Sequence, residues 1–266
     1  SQVAWFDEEF LARDPGIRSL AAKGRDFTLE EQALAGRKQI EILSAVLPVY
    51  REFASRGQIE ISTTPFYHPI LPLLCDSDIA RVSHPGVPLP PRFRYPADAR
   101  CQLERARAFI HTELGTYPAG LWPSEGSVSD ETLAIAADVG FRWAATDNGV
   151  LARTLSQSAS PELTYRPYLW RQGSRQIHLL FRDHFLSDLI GFVYARIGAR
   201  EAAEHFLARI RKNCQGILSQ GRDALVPIIL DGENAWEYYT ESGRPFLREL
   251  YGMISRDRSM RALTVR

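Results

Sequence analysis

Cysteine is nearly absent from this 266-residue sequence: Cys75, Cys101 and Cys214 are odd in number and far apart. They form neither a CxxC metal pair nor a disulfide framework, which excludes a small cross-linked scaffold. Buried free thiols in a reducing, cytoplasmic compartment are expected instead. Histidine is scarce too. The six histidines, at positions 68, 84, 111, 178, 184 and 205, show no HxxH, HxxxH or HxH spacing. A zinc site needs three or four ligands, so no metal and no cofactor is expected. Neither charge is in excess, since 32 Lys and Arg balance 32 Asp and Glu. Nucleic-acid binders normally carry a basic surplus, and that class is set aside. No apolar run approaches the roughly 18 residues of a membrane span, and Ser1 opens the chain without a signal-peptide pattern. Repeats and low-complexity tracts are lacking. A content of 45% hydrophobic and 24% charged residues is that of an ordinary globular chain, and a single domain over residues 1–266 is expected.

What the chain does have is a recurring unit: a short apolar run that ends on a carboxylate. Ala224-Leu225-Val226-Pro227-Ile228-Ile229-Leu230 runs into Asp231, and Gly120-Leu121-Trp122-Pro123-Ser124 into Glu125. Phe141–Thr146 ends on Asp147, and Ile177–Arg182 on Asp183. Apolar runs of this length without polar alternation read as strands buried on both faces. Strands that each deliver an acid at the carboxyl end are what an α/β barrel gathers around one mouth.

Helical signals alternate with these runs. Thr28-Leu29-Glu30-Glu31 is a capping-box start, and Ile40, Leu43, Leu47 and Tyr50 continue at helical spacing towards Gly57. Pro48 removes a donor there and predicts a kink or a break into two helices. Gln58–Ser62 is strand-like. Residues 76–99 carry five prolines without periodicity, as a functional loop or lid does. Helices are expected from about Asp98 to Leu114 before Gly115, from Ser129 to Gly140, over 199–218 and over Pro245–Ser255. Residues 1–27 and 150–175 show little regular pattern. The alternation implies a parallel sheet covered by helices.

Two acids stand out by context. Glu125 follows Trp122 just past a strand, and Asp231 begins an Asp-Gly-Glu turn in which Gly232 lets the backbone approach a ligand. Two carboxylates across a glycosidic bond are the minimum apparatus of glycoside hydrolysis, whereas an isolated acid at such a position is more often a helix cap. His68 is as readily a packed loop residue as a site residue, and Trp143, Trp170 and His178 read as packing. Glu233 reads as a support for the Asp231 turn.

Gly57-Gln58-Ile59-Glu60-Ile61, Gly120-Leu121-Trp122-Pro123-Ser124-Glu125 and Asp231-Gly232-Glu233 resemble three of the five signature regions of glycoside hydrolase family 57. The stretches Pro65–Leu73 and Phe181–Asp188 are similar to that family too, so the resemblance runs from about Ala4 to Tyr239. It implies a (β/α)7 barrel acting on α-glucans or maltooligosaccharides with retention. Glu125 would be the nucleophile and Asp231 the general acid/base. Trp122 would stack on a sugar ring, Glu60 and His68 would line the cleft, and Asp183, His184 and Trp236 would be companions in substrate binding. Retention goes with carboxyl groups roughly 5–5.5 Å apart, against about 6.5–9.5 Å for inversion. The family's first region, a His-Gln-Pro motif, does not occur here, and the fifth is not recognisable. The expected fold is therefore an incomplete barrel, its first strands absent, forming the central part of a catalytic domain. A hydrolase and a 4-α-glucanotransferase or branching enzyme share this machinery. A metal-dependent polysaccharide deacetylase and an inactive carbohydrate-binding fragment are the other readings. Neither a nucleic acid nor a membrane is expected as a partner, and the oligomeric state is left open.

Overall fold

The computed structural model describes residues 2–232 and 236–265. Five strands form one sheet: β1 Ser62–Thr63, β2 Gly120–Leu121, β3 Trp143–Asp147, β4 Tyr168–Gln172 and β5 Arg175–Arg182. Their order is β1-β2-β3-β5-β4. β1, β2, β3 and β5 run parallel, and β4 is antiparallel to β5. The chain divides into two compact units, Ser1–Arg56 with Asp188–Leu207 and Leu230–Ala262, and Gly57–Ser187 with Ala208–Ile229 and Leu263–Arg266. No helix among the described residues is long and apolar enough to cross a membrane.

The sheet belongs to the second unit. Its core joins Leu121 and Ala144 on the strands to Leu71, Leu103, Leu133 and Ala136 on flanking helices. Helix Pro96–Leu114 connects β1 to β2 and stops at Gly115, which takes the left-handed conformation a C-terminal glycine supplies. Helix Asp130–Val139 connects β2 to β3. The Ser129 side chain caps its start, and Gly140, at φ 100°, closes its end. Both helices follow the expectation.

Two features of the sheet were not expected. Residues 150–175 contain helices Asn148–Leu155 and Pro161–Thr164 and strand β4, which reaches β5 through the two-residue turn Gly173-Ser174. Gly173 sits at φ 59°, the conformation tight hairpins ask of their first turn residue. The run 224–230 forms no strand. Leu225 N–H instead donates to Tyr165 O, and Pro227 O accepts from Asp183 N–H. These backbone groups find isolated partners rather than a ladder, and most of the run is only half-buried. Segment 76–99, expected as an irregular loop, instead holds the 3-10 turn Ser77–Ile79 and the short helix Ala80–Ser83, and helix Pro96–Leu114 starts within it; only the stretch between is irregular, and its base is fastened. Arg92 holds Asp76, Ser77 N–H donates to Phe93 O, and Tyr95 N–H donates to Leu74 O.

The first unit is helical. Residues 1–27, expected to lack pattern, hold helices Glu8–Arg13 and Pro15–Lys23, capped by Asp7 and Asp14. Asp7 also accepts from Ser242 Oγ at 2.8 Å and from Arg244 at 2.9 Å. Burial alone would raise its carboxyl pKa. The Glu9 amide, the Ser242 hydroxyl and Arg244 outweigh that and hold it below the usual range. Helix Leu29–Ser55 has the expected capping box between Thr28 and Glu31. It runs through Pro48 without breaking in two, at the cost of one backbone hydrogen bond. The stripe Ile40, Leu43, Leu47 and Tyr50 does not become a buried face: Ile40 is 66% and Leu43 69% exposed. The amino-terminal half is held by buried Ala35 and the Lys38–Asp14 and Lys23–Glu31 ion pairs. Helix Ala199–Leu218 begins in this unit and passes into the second at Ala208. Helix Arg244–Arg256 completes the first unit and supplies buried Phe246.

Candidate active site at the carboxyl ends of the strands

At or just past their carboxyl ends, the sheet's parallel strands carry polar residues. β1 ends at Thr63 and continues as Thr64-Pro65-Phe66-Tyr67-His68. β2 ends at Leu121, after which Trp122 N–H donates to Thr63 O at 2.9 Å and keeps the two chains together. Glu125 follows in the short turn Ser124–Gly126.

Glu125 and His68 share an uncommon backbone state, φ 55° and φ 56° respectively. A left-handed residue other than glycine costs about 1–3 kcal/mol and persists only where its surroundings enforce it. Around Glu125, Ser127 N and Oγ both donate to Ser124 O, Gly126 N–H donates to Pro123 O, and the Thr146 hydroxyl bonds Gly126 O. Gly126 is itself at φ 65°, and the Trp122 ring lies so close that an added Cβ there would stand 3.2 Å from Cη2. Around His68, its own N–H donates to Pro65 O, and Gln102 takes the two preceding amides. Phe66 N–H goes to Gln102 O and Tyr67 N–H to Gln102 Oε1. The two strained residues meet. His68 Nε2 lies 3.3 Å from Glu125 Oε1, and His68 Nδ1 lies 2.8 Å from Thr64 Oγ1. The Glu125 side chain is 76% exposed, so its carboxylate is open to an incoming molecule. Ser124 beside it is fully buried, and its hydroxyl has no hydrogen-bond partner among the described residues.

A second polar group forms where β3 and β5 end in register, Asp147 opposite Arg182. Asp147 Oδ1 accepts from Gly149 N–H and caps the helix that follows. Its Oδ2 lies 3.2 Å from Arg182 Nη1 and 3.1 Å from His184 Nδ1. Asp183, between them, points inward and is only 7% exposed. It accepts from the Tyr165 hydroxyl at 2.6 Å and from Leu186 N–H at 2.8 Å. Burial first, and the bond to Asp183 second, push the Tyr165 phenol far above its usual range, so it remains a donor. Asn213 Nδ2 in turn donates to the Tyr165 oxygen.

The residues singled out from sequence thus fall into distinct settings. His68 and Glu125 touch, and Trp122 flanks the Glu125 turn. Glu60 is held by protein groups on both oxygens, accepting from Trp143 Nε1 at 2.9 Å and from Val265 N–H at 2.8 Å. Trp143 is therefore a hydrogen-bonded support as well as packing. His184 joins Asp147 and Arg182, whereas Asp183 serves the interior. Asp231 and Trp236 belong to the first unit. Asp231 is exposed. Trp236 packs with Tyr239 and Phe246, at centroid distances of 5.3 and 6.3 Å, in an aromatic cluster under Gly243. Glu233 lies outside the described residues. Thr64 and Arg182 were not foreseen as site residues. Thr64 stands four residues before His68, a spacing that acquires meaning only once His68 turns back. Among the described residues no three His, Cys, Asp or Glu side chains group as metal ligands would.

Solved structures share this mixed α/β fold. The chain is similar to a GH57-type branching enzyme from Pyrococcus horikoshii, with TM-score 0.64 and 16% identity over 97% of this chain and 53% of that one. An alpha-amylase from Thermotoga maritima gives 0.63 and 13% over 97% and 57%. A 4-alpha-glucanotransferase from Thermococcus litoralis gives 0.58 and 19% over 82% and 29%. At these identities the likeness is one of fold, and the chain spans 29% to 57% of those proteins' lengths. The sequence pattern of glycosyl hydrolase family 57 matches residues 6–266, and the chain belongs to that family. No curated protein sequence matches it.

Proposed function

We propose that this chain carries the nucleophile and the general acid/base of a retaining enzyme acting on α-glucans, with Glu125 in the first role and Asp231 in the second. The observation that carries the reading is Glu125 itself. It is an open carboxylate at the end of a parallel strand, held in a strained turn against a histidine. In the first step a Glu125 oxygen attacks the anomeric carbon while the glycosidic C–O bond breaks, and Asp231 gives its proton to the departing oxygen. In the second step Asp231 takes a proton from an incoming hydroxyl, whose oxygen displaces Glu125. Two inversions restore the α-configuration. Water as acceptor makes a hydrolase, and a sugar hydroxyl makes a glucanotransferase or branching enzyme. Trp122, half-buried against Gly126, supplies an aromatic face for a sugar ring, and His184 with Asp147 supplies polar groups further along the strand ends. The five-stranded sheet is read as part of the family's (β/α)7 barrel.

Azide rescue of the intact protein with an α-glycosyl fluoride tests the two roles, because fluoride leaves without protonation. Glu125→Gln should abolish turnover of all glycosides. Asp231→Asn should still form the covalent intermediate, and azide should then release an α-glycosyl azide. A β-glycosyl azide from the Asp231 variant, with the α-anomer from the Glu125 variant, would reverse the assignment.

A further inference from the structure

We infer that Thr64 and His68 are the positioning pair of Glu125, with the Thr64 hydroxyl fixing the imidazole tautomer that aims a proton at the carboxylate. The inference rests on the reading of Glu125 as nucleophile. The atoms determine the direction of each bond. An ionised carboxylate only accepts, so His68 Nε2, 3.3 Å from Glu125 Oε1, must carry the proton. In the neutral ring Nδ1 is then an acceptor, and the group 2.8 Å from it, Thr64 Oγ1, must donate. A hydroxyl suits this place because its proton rotates to meet the ring.

The backbone keeps the imidazole in reach. Gln102 binds the amides of Phe66 and Tyr67, and the Arg105 guanidinium lies 4.5 Å from the Phe66 ring centroid and 5.1 Å from that of Tyr67. His68 therefore enters its left-handed turn from a fixed base. With Oε1 engaged by the Nε2 proton, Oε2 is the oxygen left to bond the anomeric carbon. The Thr64 hydroxyl bonds the histidine and acts through it, as the carboxylate behind a catalytic histidine orients that ring in other enzymes.

The experiment uses the intact protein with ring-nitrogen-labelled histidine and long-range proton–nitrogen correlation. In the parent, His68 should show a protonated Nε2 and an unprotonated Nδ1. Thr64→Val keeps the shape and removes the donor. It should mix the tautomers and lower kcat on an α-glycosyl fluoride by about 10- to 100-fold, the scale on which misplaced reacting groups lose rate. KM should stay unchanged, since no substrate contact is lost. Thr64→Ser should restore both tautomer and rate. An Nδ1-protonated His68 in the parent, or a Thr64→Val protein with unaltered tautomer and kcat, overturns the inference. Should Thr64→Val not fold, His68→Asn replaces it, because asparagine tolerates the left-handed backbone. The same loss of kcat is expected from it, and full activity overturns the pairing. Turnover by Glu125→Gln would instead remove the nucleophile reading, and the tautomer measurement would still decide the roles of Thr64 and His68.

Discussion

Ser124 shows how much of the local structure serves its neighbour. Its hydroxyl is buried and has no partner among the described residues, while its carbonyl is doubly bonded by Ser127, so the residue holds the Glu125 turn through its backbone. A buried donor without a partner costs about 1–3 kcal/mol. Ser124→Ala removes the hydroxyl and leaves every backbone bond in place. It should raise stability by about 1 kcal/mol, read as a higher urea midpoint with unchanged slope; a lower midpoint would mean that the hydroxyl has a partner after all. Glu125, Asp147 and Asp183 were legible at this scale because an acid ending an apolar run is a local pattern. Their different uses were not legible. Glu125 is open, Asp147 caps a helix and pairs with Arg182, and Asp183 turns inward to Tyr165, choices made by residues 18 to 57 positions away.

Among the elements, the approach of β2 to β3 is set by one missing side chain. The Trp143 indole lies over Gly120, where a Cβ would stand 2.0 Å from Cζ2, and its Nε1 donates to Glu60. Gly120→Ala must push the indole aside and break that bond. A loss of roughly 1–3 kcal/mol is expected from overpacking, measured by urea unfolding; an unchanged midpoint would show that the indole moves freely. Helices Leu29–Ser55, Asp130–Val139 and Pro96–Leu114 were readable because their caps are local chemistry: Thr28 with Glu31, Ser129, and the glycines at 115 and 140. β4 was not, because the run Tyr168-Leu169-Trp170-Arg171-Gln172 shows no alternation of apolar and polar residues and becomes a strand by pairing with β5. The run 224–230 failed in the opposite direction. An unbroken apolar stretch announces burial but not which backbone groups will answer it.

At the scale of the whole molecule, acid resistance depends on carboxylates committed to the fold. Arg92 beside Asp76 holds that carboxyl at about 2, against an ordinary 3.8. A depressed carboxylate stabilises the folded chain above its unfolded pKa and loses that contribution as pH falls towards the folded value. The Asp76–Arg92 contribution should thus be complete above about pH 4 and disappear towards about pH 2. Urea midpoints of the parent and of Asp76→Asn should differ near neutrality and converge over that window. Midpoints separated by a constant amount down to about pH 2 would show that Asp76 is not the group titrating.

The antiparallel strand β4 has one further consequence, for colloidal behaviour. A sheet flank is a template on which a stray polypeptide in crowded surroundings adds and seeds fibrils. Among the described residues, one flank of the sheet is the two-residue strand β1. The other offers five residues of β4, with Arg171 exposed upon it and Trp170 tied back to Asp130. Short, charged and locally anchored, these margins give a foreign strand little purchase.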